Sequence, residues 1–273
     1  MTSSANSYKK SSFGPAFFFL SKKQRRALAV YYEFCRLMDD IADEPRPTDP
    51  QQELDFWQEE ITRVFEHKAQ TDLGKSLQEA VKDFALTPDC FLLLVEGMRA
   101  DLQHKTYETL EALDWYLYRV AGVVGIATLA ILGVQGPQAN ELAQTLGRAV
   151  QLTNIIRDVP ADAQLERVYL PGELLAQEGL ARQDVLMGRF LPKQARVLSR
   201  LDQEARRLYT LAFTQMRAWP RLKMLPCRVI ACVYAKNLAK IRKRGFLFSS
   251  PIKLTKTEKI KGVLHALFQT VFA

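Results

Sequence analysis

Apolar residues recur every three to four positions along most of the chain, which is the period of an α-helix. ProArgPro at 45–47 ends the first such pattern, because proline cannot continue a helix. We find no alternating strand pattern, no internal repeat and no low-complexity linker. The sequence therefore predicts a single all-α domain over residues 1–273, with a polar, mobile stretch at 1–10. The predicted helices lie at roughly 22–44, 50–68, 73–84, 87–104, 109–133, 138–158, 181–188, 193–218, 224–244 and 256–271.

Composition narrows the class of protein. A chain of 273 residues with 48% hydrophobic and 25% charged residues is typical of a globular protein. Its four cysteines form no CxxC pair, and without a signal peptide we expect reduced thiols and a cytoplasmic location. The most apolar stretch, 120–134, is too short to span a membrane and favours a buried core helix.

The net charge of +8 is concentrated near the C-terminus. Between Lys236 and Lys261, Glu258 is the only acid among many lysines and arginines, which suits an anionic partner or, alternatively, a solvated basic face. The last helix adds an apolar face flanked by lysines, which predicts peripheral membrane contact. Packing of this helix on the core is the alternative. The face consists of Val263, Leu264, Leu267, Phe268, Val271 and Phe272.

Two helix faces carry acids at helical spacing. The first face begins just before CRLMDDIADE and continues into it; its side chains step by four, three and four residues and so share one face. These residues are Tyr32, Arg36, Asp39 and Asp43. The two carboxylates repel unless a cation or strong donor lies between them. A solvated helix end is the alternative interpretation.

The second face lies in QLTNIIRDVPAD, on a helix whose other faces are apolar. It carries Gly147, Gln151, Asn154, Asp158 and Asp162. Uncompensated carboxylates on a buried helix are costly, so they need a cation or a salt-bridge network. The network alternative has Arg148, Arg157 and Arg167 available as partners. Pro160 removes one backbone donor, which predicts that the helix kinks or ends between the last two acids.

Carboxylate and amide oxygens are the ligands that Mg²⁺ prefers, usually together with waters and substrate phosphates. The three histidines (His67, His104, His265) are isolated, which disfavours zinc. We find no P-loop or GxGxxG motif, which argues against nucleotide hydrolysis and a dinucleotide cofactor. Two such faces across a helical cavity would suit several Mg²⁺ ions around a diphosphate.

These motifs, with YLYRVAGVVG and RVYLP between and after them, resemble the squalene/phytoene synthase family of head-to-head prenyl synthases. The resemblance runs from about residue 11 to the basic C-terminal segment. It implies the all-α isoprenoid synthase bundle around a central cavity. One departure is Pro160, where the family usually has glycine, and another is Lys10.

The resemblance also implies site residues. It implies that two or three Mg²⁺ ions with the substrate diphosphate are held by Asp39, Asp43, Asn154, Asp158 and Asp162. It implies that the substrate is contacted by Arg36, Arg157, Tyr32, Gln151, Tyr234 and Lys259, with an apolar wall of Phe13, Val120 and Val123 or Val124. Tyr116 corresponds to the family's active-site tyrosine, near the leaving diphosphate.

The implied reaction joins two farnesyl diphosphates into presqualene diphosphate, with squalene as a further product, as in hopanoid synthesis. NADPH is not expected, and neither is nucleic acid. We expect a cytoplasmic enzyme, with peripheral contact to the inner face of the cytoplasmic membrane and downstream isoprenoid enzymes as partners. The alternatives are phytoene or dehydrosqualene synthase and, from another class, a catalytically inactive scaffold relative.

Overall fold

The computed structural model describes residues 20–188, 192–248 and 252–272. Within these ranges it contains twelve α-helices and no strand, so the all-α prediction is confirmed. Their bounds are α1 Lys22–Asp43, α2 Pro50–Phe65, α3 Asp72–Asp83, α4 Asp89–Leu102, α5 Leu110–Leu117, α6 Val123–Ile131, α7 Pro137–Gln164, α8 Gly172–Gln177, α9 Arg182–Leu186, α10 Pro192–Gln215, α11 Leu225–Lys243 and α12 Lys256–Phe272. The predicted mobile stretch at 1–10 and the predicted wall residue Phe13 lie outside the described residues.

The contacts divide the chain into two compact units. The first unit consists of Met1–Gln103 and Tyr118–Gln144, and the second of His104–Leu117 and Thr145–Ala273. The prediction of a single domain stays a prediction.

Aromatic packing fixes α1 in the first unit. The Phe91 ring meets Tyr31 and Phe34 edge to face, with centroids 5.3 and 5.4 Å apart. The Tyr31 hydroxyl donates a hydrogen bond to the Cys90 carbonyl oxygen at 2.7 Å, which satisfies the phenol inside the core. At its N-terminus α1 is capped by Ser21 and Gln24 in a reciprocal capping box. These contacts hold the helix that carries the first acidic face.

A π-helical segment, Tyr118–Gly122, interrupts the helix that the sequence predicts over 109–133. It lies within YLYRVAGVVG, between α5 and α6, and it widens the helix by one residue per turn. Such short π segments occur frequently at functional sites. The apolar periodicity of this stretch does not predict a π segment.

In the second unit, a buried hydroxyl pair ties α7 to α10. The Thr153 hydroxyl donates to the Ala149 carbonyl oxygen at 2.8 Å. The Tyr209 hydroxyl, 2.9 Å from the Thr153 oxygen, is therefore the donor in that second contact. Both residues are buried, so this pair leaves neither hydroxyl oxygen without a partner.

Helix α7 continues through Pro160 to Gln164. The sequence predicts that the helix kinks or ends between Asp158 and Asp162; the helix does not end there, and the kink stays a prediction. Proline removes a single helical hydrogen bond, and the turn beyond it remains bonded, because the Asp162 carbonyl oxygen accepts from the amides of Leu165 and Arg167 at 3.0 and 2.9 Å. The short helix α8 was not predicted, since six residues are too few for a clear apolar period.

One helical stretch among the described residues, Leu110–Ile131, is long and apolar enough to cross a membrane by length and composition alone. Half of its most apolar window is buried inside the fold. Core helices of globular proteins meet the same criterion, so this finding is weak support for a span.

Candidate active site

The first acidic face lies in the last two turns of α1, which ends at Asp43. Desolvation by the surrounding protein, followed by the charges of Asp43 and Asp101, raises the pKa of Asp39 to about 7. Asp39 nevertheless keeps accessible surface. A carboxylate that is surrounded by protein but reached by solvent is typical of a concave surface, where a bound cation would offset the clustered negative charge.

Asp101 is a member of this acidic group that the sequence analysis missed. It is buried in the last turn of α4, where the negative end of the helix dipole disfavours an acid. The sequence did contain a signal for Asp101, because an acidic residue in the last turn of a predicted helix is unfavourable and therefore suggests a functional role. Its charge acts on Asp39, so three carboxylates of the first unit lie close enough to interact.

Arg36 shares a helix face with Asp39 but pairs with another acid. Its Nε donates to Asp40 Oδ1 at 2.8 Å, and more than half of its side chain is exposed. Tyr32, one turn earlier, is half-buried. The predicted contact of Arg36 with a diphosphate stays a prediction, and in this structure the guanidinium is held at the rim of the acidic group.

The second acidic face, on α7, brings four predicted site residues together. Arg157 binds Asp158 with both Nε and Nη2, the former at 2.8 Å. Burial favours the neutral form of Arg157, but the hydrogen bond and charge of Asp158, followed by the charges of Tyr234 and Asp162, raise its pKa. The arginine is therefore surrounded by groups that favour its charge.

This ion pair is part of the salt-bridge alternative considered for the second face. Arg148 does not take part, since its guanidinium pairs with Asp114 of α5. Arg157 therefore neutralises one carboxylate of the second acidic face, that of Asp158. Because Asp158 remains about one-third exposed, its oxygens are still accessible to a cation.

Asn154 offers an amide oxygen that suits a cation. Its Nδ2 donates to Gln151 Oε1 at 3.1 Å, which orients the amide group. Its Oδ1 is buried and has no hydrogen-bond partner among the residues that the structure describes. A buried carbonyl oxygen without a donor or cation costs free energy, on the order of 1–3 kcal/mol. The site therefore holds an oxygen that a metal ion would satisfy.

The donor set fits Mg²⁺ held jointly with a substrate. In the part of the chain that the structure describes, no three or more His, Cys, Asp or Glu side chains are grouped to hold a metal ion. Mg²⁺ commonly binds one or two carboxylates, several waters and substrate phosphates, and so needs no such cluster. In the first unit Asp39 and Asp43 match that chemistry, and in the second unit Asp158 and the Asn154 amide oxygen match it.

Three buried tyrosines form a stack in the second unit. The ring of Tyr116 stacks on Tyr169, with centroids 4.9 Å apart and planes at 22°, and Tyr107 lies 5.5 Å from Tyr116. The segment with Tyr107 is bonded to the residues after RVYLP, since the Gly172 amide donates to the Tyr107 carbonyl oxygen at 3.0 Å. Tyr116 was predicted; Tyr107 and Tyr169 were missed, although Tyr169 lies in RVYLP. Aromatic faces of this kind stabilise cations.

The predicted wall residues lie in and after the π segment. Val120 packs closely against α4. A Cβ atom added to Gly97 of α4 would lie only 2.6 Å from Val120 Cγ1. Val123 is buried in the core, whereas Val124 stays half-buried, which favours Val124 as the wall residue. Lys259 is half-buried on α12, and its predicted diphosphate contact stays a prediction.

Comparisons with known proteins agree with the family resemblance of the sequence motifs. The sequence model of the squalene/phytoene synthase family matches residues 8–258. The presqualene diphosphate synthase of Rhodopseudomonas palustris is 35% identical, covering 93% of this chain and 92% of that protein. That of Zymomonas mobilis is 32% identical, covering 94% and 88%. Phytoene synthase 2 of Solanum lycopersicum is 31% identical, covering 86% and 80%.

Solved structures share the fold. A dehydrosqualene synthase crystallised with a ligand has a TM-score of 0.84 at 26% identity, covering 97% of this chain and 94% of that one. A squalene synthase from Alicyclobacillus acidocaldarius has a TM-score of 0.82 at 27% identity, covering 89% and 91%. With the family match over most of its length, the chain belongs to the squalene/phytoene synthase family of prenyltransferases.

Proposed function

We propose that the chain joins two farnesyl diphosphates head to head and releases presqualene diphosphate. The observation that carries this proposal is the similarity to two presqualene diphosphate synthases along almost the whole of each protein. The aspartates of both helix faces are present, and the buried amide oxygen of Asn154 is available as a further ligand.

The residues of the chain have distinct tasks in this reaction. Asp39, Asp43, Asn154, Asp158 and Asp162 would hold Mg²⁺ together with the substrate diphosphate. Bound there, Mg²⁺ would neutralise the diphosphate and stabilise it as a leaving group. Arg157 is placed to add a positive charge on the diphosphate, because its neighbours keep it protonated in a largely buried position.

Binding would exchange partners within the Arg157–Asp158 pair. In the structure each group neutralises the other through two hydrogen bonds. When the diphosphate enters, the guanidinium can bind phosphate oxygens with the same fork geometry, and the carboxylate is left for the metal ion. The pair thus keeps both charges compensated before the substrate arrives.

The carbon chemistry needs a dry, electron-rich environment. The C–O bond of one farnesyl diphosphate breaks, and the resulting allylic cation is attacked by the double bond of the second. Loss of a proton, assisted by Tyr116 or by the released diphosphate, closes the cyclopropane ring. The second diphosphate group stays on the product. The buried stack of Tyr107, Tyr116 and Tyr169 supplies aromatic faces for the positive charge and excludes water.

Phytoene or dehydrosqualene synthesis is the second candidate. It is favoured by the similarity to the tomato phytoene synthase and by the fold match to a dehydrosqualene synthase. An inactive scaffold is less favoured, because an empty cavity gives no physical reason to keep repelling carboxylates such as Asp39 and Asp43.

Product analysis tests the proposal. The purified chain is incubated with labelled farnesyl or geranylgeranyl diphosphate and Mg²⁺, without NADPH, and the products are identified by mass spectrometry. We expect a thirty-carbon diphosphate from farnesyl diphosphate. A forty-carbon hydrocarbon from geranylgeranyl diphosphate alone would select phytoene synthase, and unreacted substrate with well-folded protein would support the scaffold.

We also propose that α12 makes peripheral contact with an anionic membrane surface. Gly262, Ala266 and Thr270 form the buried face of this helix, and a Cβ on Gly262 would lie 3.1 Å from Val233 of α11. The predicted packing on the core is therefore present. A neighbouring apolar stripe remains exposed, namely Ile260 at 58%, Leu264 at 58% and Phe268 at 61%.

Charge complementarity favours a lipid surface over a second copy of the chain. Lys256 and Lys261 lie on the same outer side of α12 as the stripe, and two copies facing each other would bring like charges together. Replacing Ile260 and Leu264 with serine should reduce sedimentation with phosphatidylglycerol vesicles several-fold. Serine at Leu211, an exposed residue of α10, is the control. Equal sedimentation of all three proteins would exclude this contact.

A further inference from the structure

The chain has no aspartate or glutamate between Glu204 and Glu258, although that stretch contains thirteen lysines and arginines. Three of these arginines lie around the turn that joins α10 to α11, namely Arg217, Arg221 and Arg228. None of the three forms a hydrogen bond or an ion pair through its side chain with any part of the chain that the structure describes. Their charges therefore lack a local carboxylate.

The turn presents a helix N-terminus at this place. The Pro220 carbonyl oxygen accepts from the amides of Lys223 and Met224 at 3.0 and 3.2 Å, and α11 begins at Leu225. The N-cap residue is Met224, which offers no side-chain hydrogen bond to the first turn. The positive end of the dipole of a 19-residue helix is thus left without an acidic or polar cap.

Arg228 is directed toward that end of the helix. Helical side chains tilt toward the N-terminus, and Arg228 lies at the start of the second turn. Only 7% of the residue is exposed, and its Nε is buried without a hydrogen-bond partner. Burial lowers its pKa, and the charges of Arg221 and Arg217 lower it further, so both of these arginines lie close enough to act on Arg228.

Such an arrangement is unfavourable by itself. A buried guanidinium, two like charges and a helix N-terminus all contribute positive potential to the same place. A phosphate group offsets this potential, because guanidinium forks and helix amides both match its oxygens.

We propose that Arg217, Arg221, Arg228 and the N-terminal turn of α11 bind a phosphate-type anion, at a place that shares none of the proposed substrate-binding residues. Inorganic phosphate and the phosphate of a lipid headgroup present the same chemistry to this site. The proposal does not depend on the proposed reaction, since it uses neither the aspartates nor the tyrosines.

The first test measures the melting temperature during titration with inorganic phosphate at constant ionic strength. We expect phosphate to raise the melting temperature of the wild-type chain, and Arg217→Gln and Arg221→Gln to weaken the apparent affinity roughly tenfold, the loss expected for one charge-assisted contact. Both arginines are exposed, so these variants should fold. Arg200→Gln, an exposed arginine of α10, removes the same charge elsewhere and should titrate like the wild type.

The same titration in an Arg157→Gln background separates this site from the proposed diphosphate site. The response to phosphate should persist there and still be weakened by Arg221→Gln. If it disappears with Arg157→Gln alone, phosphate binds only at the diphosphate site and the proposal is overturned. An equal phosphate-induced rise in melting temperature in wild type, Arg217→Gln and Arg221→Gln would also overturn it.

The second test identifies the source of the phosphate. It uses sedimentation with vesicles of phosphatidylcholine containing phosphatidylglycerol, in the variant whose α12 stripe carries serine at 260 and 264. If this variant still binds the vesicles, and if adding Arg221→Gln reduces that binding at least fivefold, the anion is a lipid headgroup. This result supports the proposal even if free phosphate has no effect. A chain that responds neither to phosphate nor to these vesicles contradicts the proposal.

Discussion

Gly125 allows α6 to approach the backbone of α7, and its replacement by alanine should destabilise the fold. A Cβ at this position would lie 2.7 Å from the Ala143 carbonyl oxygen and 3.2 Å from the Ala143 Cα and carbonyl carbon. Ordinary van der Waals contact requires about 3.4 Å or more, so α6 or α7 must shift by several tenths of an ångström. The obstacle is backbone, which cannot turn aside as a side chain can.

The magnitude follows from two opposed terms. Overpacking against a rigid neighbour costs about 2–3 kcal/mol, in the upper part of the usual range. Alanine regains about 1 kcal/mol over glycine in a helix interior. The net loss is about 1–2 kcal/mol, or a fall in melting temperature of roughly 2–8 °C for a chain of this size.

Gly262→Ala is the matched control, since it brings the same helix propensity to a position where the nearest atom, Val233 Cγ2, is 3.1 Å away and belongs to a side chain. We expect this variant to lie within about 1 kcal/mol of the wild type by chemical denaturation. Comparing the two variants cancels the propensity term. Equal shifts in both, or stabilisation by Gly125→Ala, would refute the role assigned to the close approach.

Three further predictions concern the site and the fold. Asp158→Asn should lower turnover roughly 10²–10³-fold while the circular dichroism spectrum stays unchanged, because a charged ligand is lost at the developing diphosphate charge; near-normal turnover would contradict the metal assignment. Glu60 is fully buried and accepts from the Gln70 and Thr71 amides, the Thr71 hydroxyl and Arg63, so Glu60→Ala should cost about 3–5 kcal/mol, measured in urea. A cost below about 1 kcal/mol would show that those donors find other partners. Tyr169→Leu should reduce turnover much more than Tyr169→Phe, which keeps the ring stacked on Tyr116; equal losses would point to the hydroxyl instead.

Most of the helices could be predicted from the sequence, because their apolar faces repeat with the helical period and their ends carry clear signals. ProArgPro ends α1, and Asp49 and Pro50 begin α2 as its N-cap and first residue. The departures arise where local chemistry is ambiguous. The π segment at Tyr118–Gly122 has no distinct apolar period, and Pro160 breaks one hydrogen bond without ending the helix.

The candidate site was predictable where residues share one helix and less so where they do not. Asp39 and Asp43, like Asn154 and Asp158, follow from spacing along a single helix. Asp101 and Tyr107 are brought to their neighbours by tertiary packing, which spacing along the chain does not encode. The pairing of Arg157 with Asp158 rather than with a more distant acid likewise depends on side-chain geometry.

The ratio of diphosphate released to farnesyl diphosphate consumed tests the central proposal most directly. It is measured with the full chain and Mg²⁺ in the absence of NADPH, with a coupled assay for inorganic diphosphate. Condensation that stops at presqualene diphosphate releases one diphosphate for every two substrates, because the second group remains on the product. Release of one diphosphate per substrate would show that the chain continues to a hydrocarbon, and no release from folded protein would contradict the proposed activity.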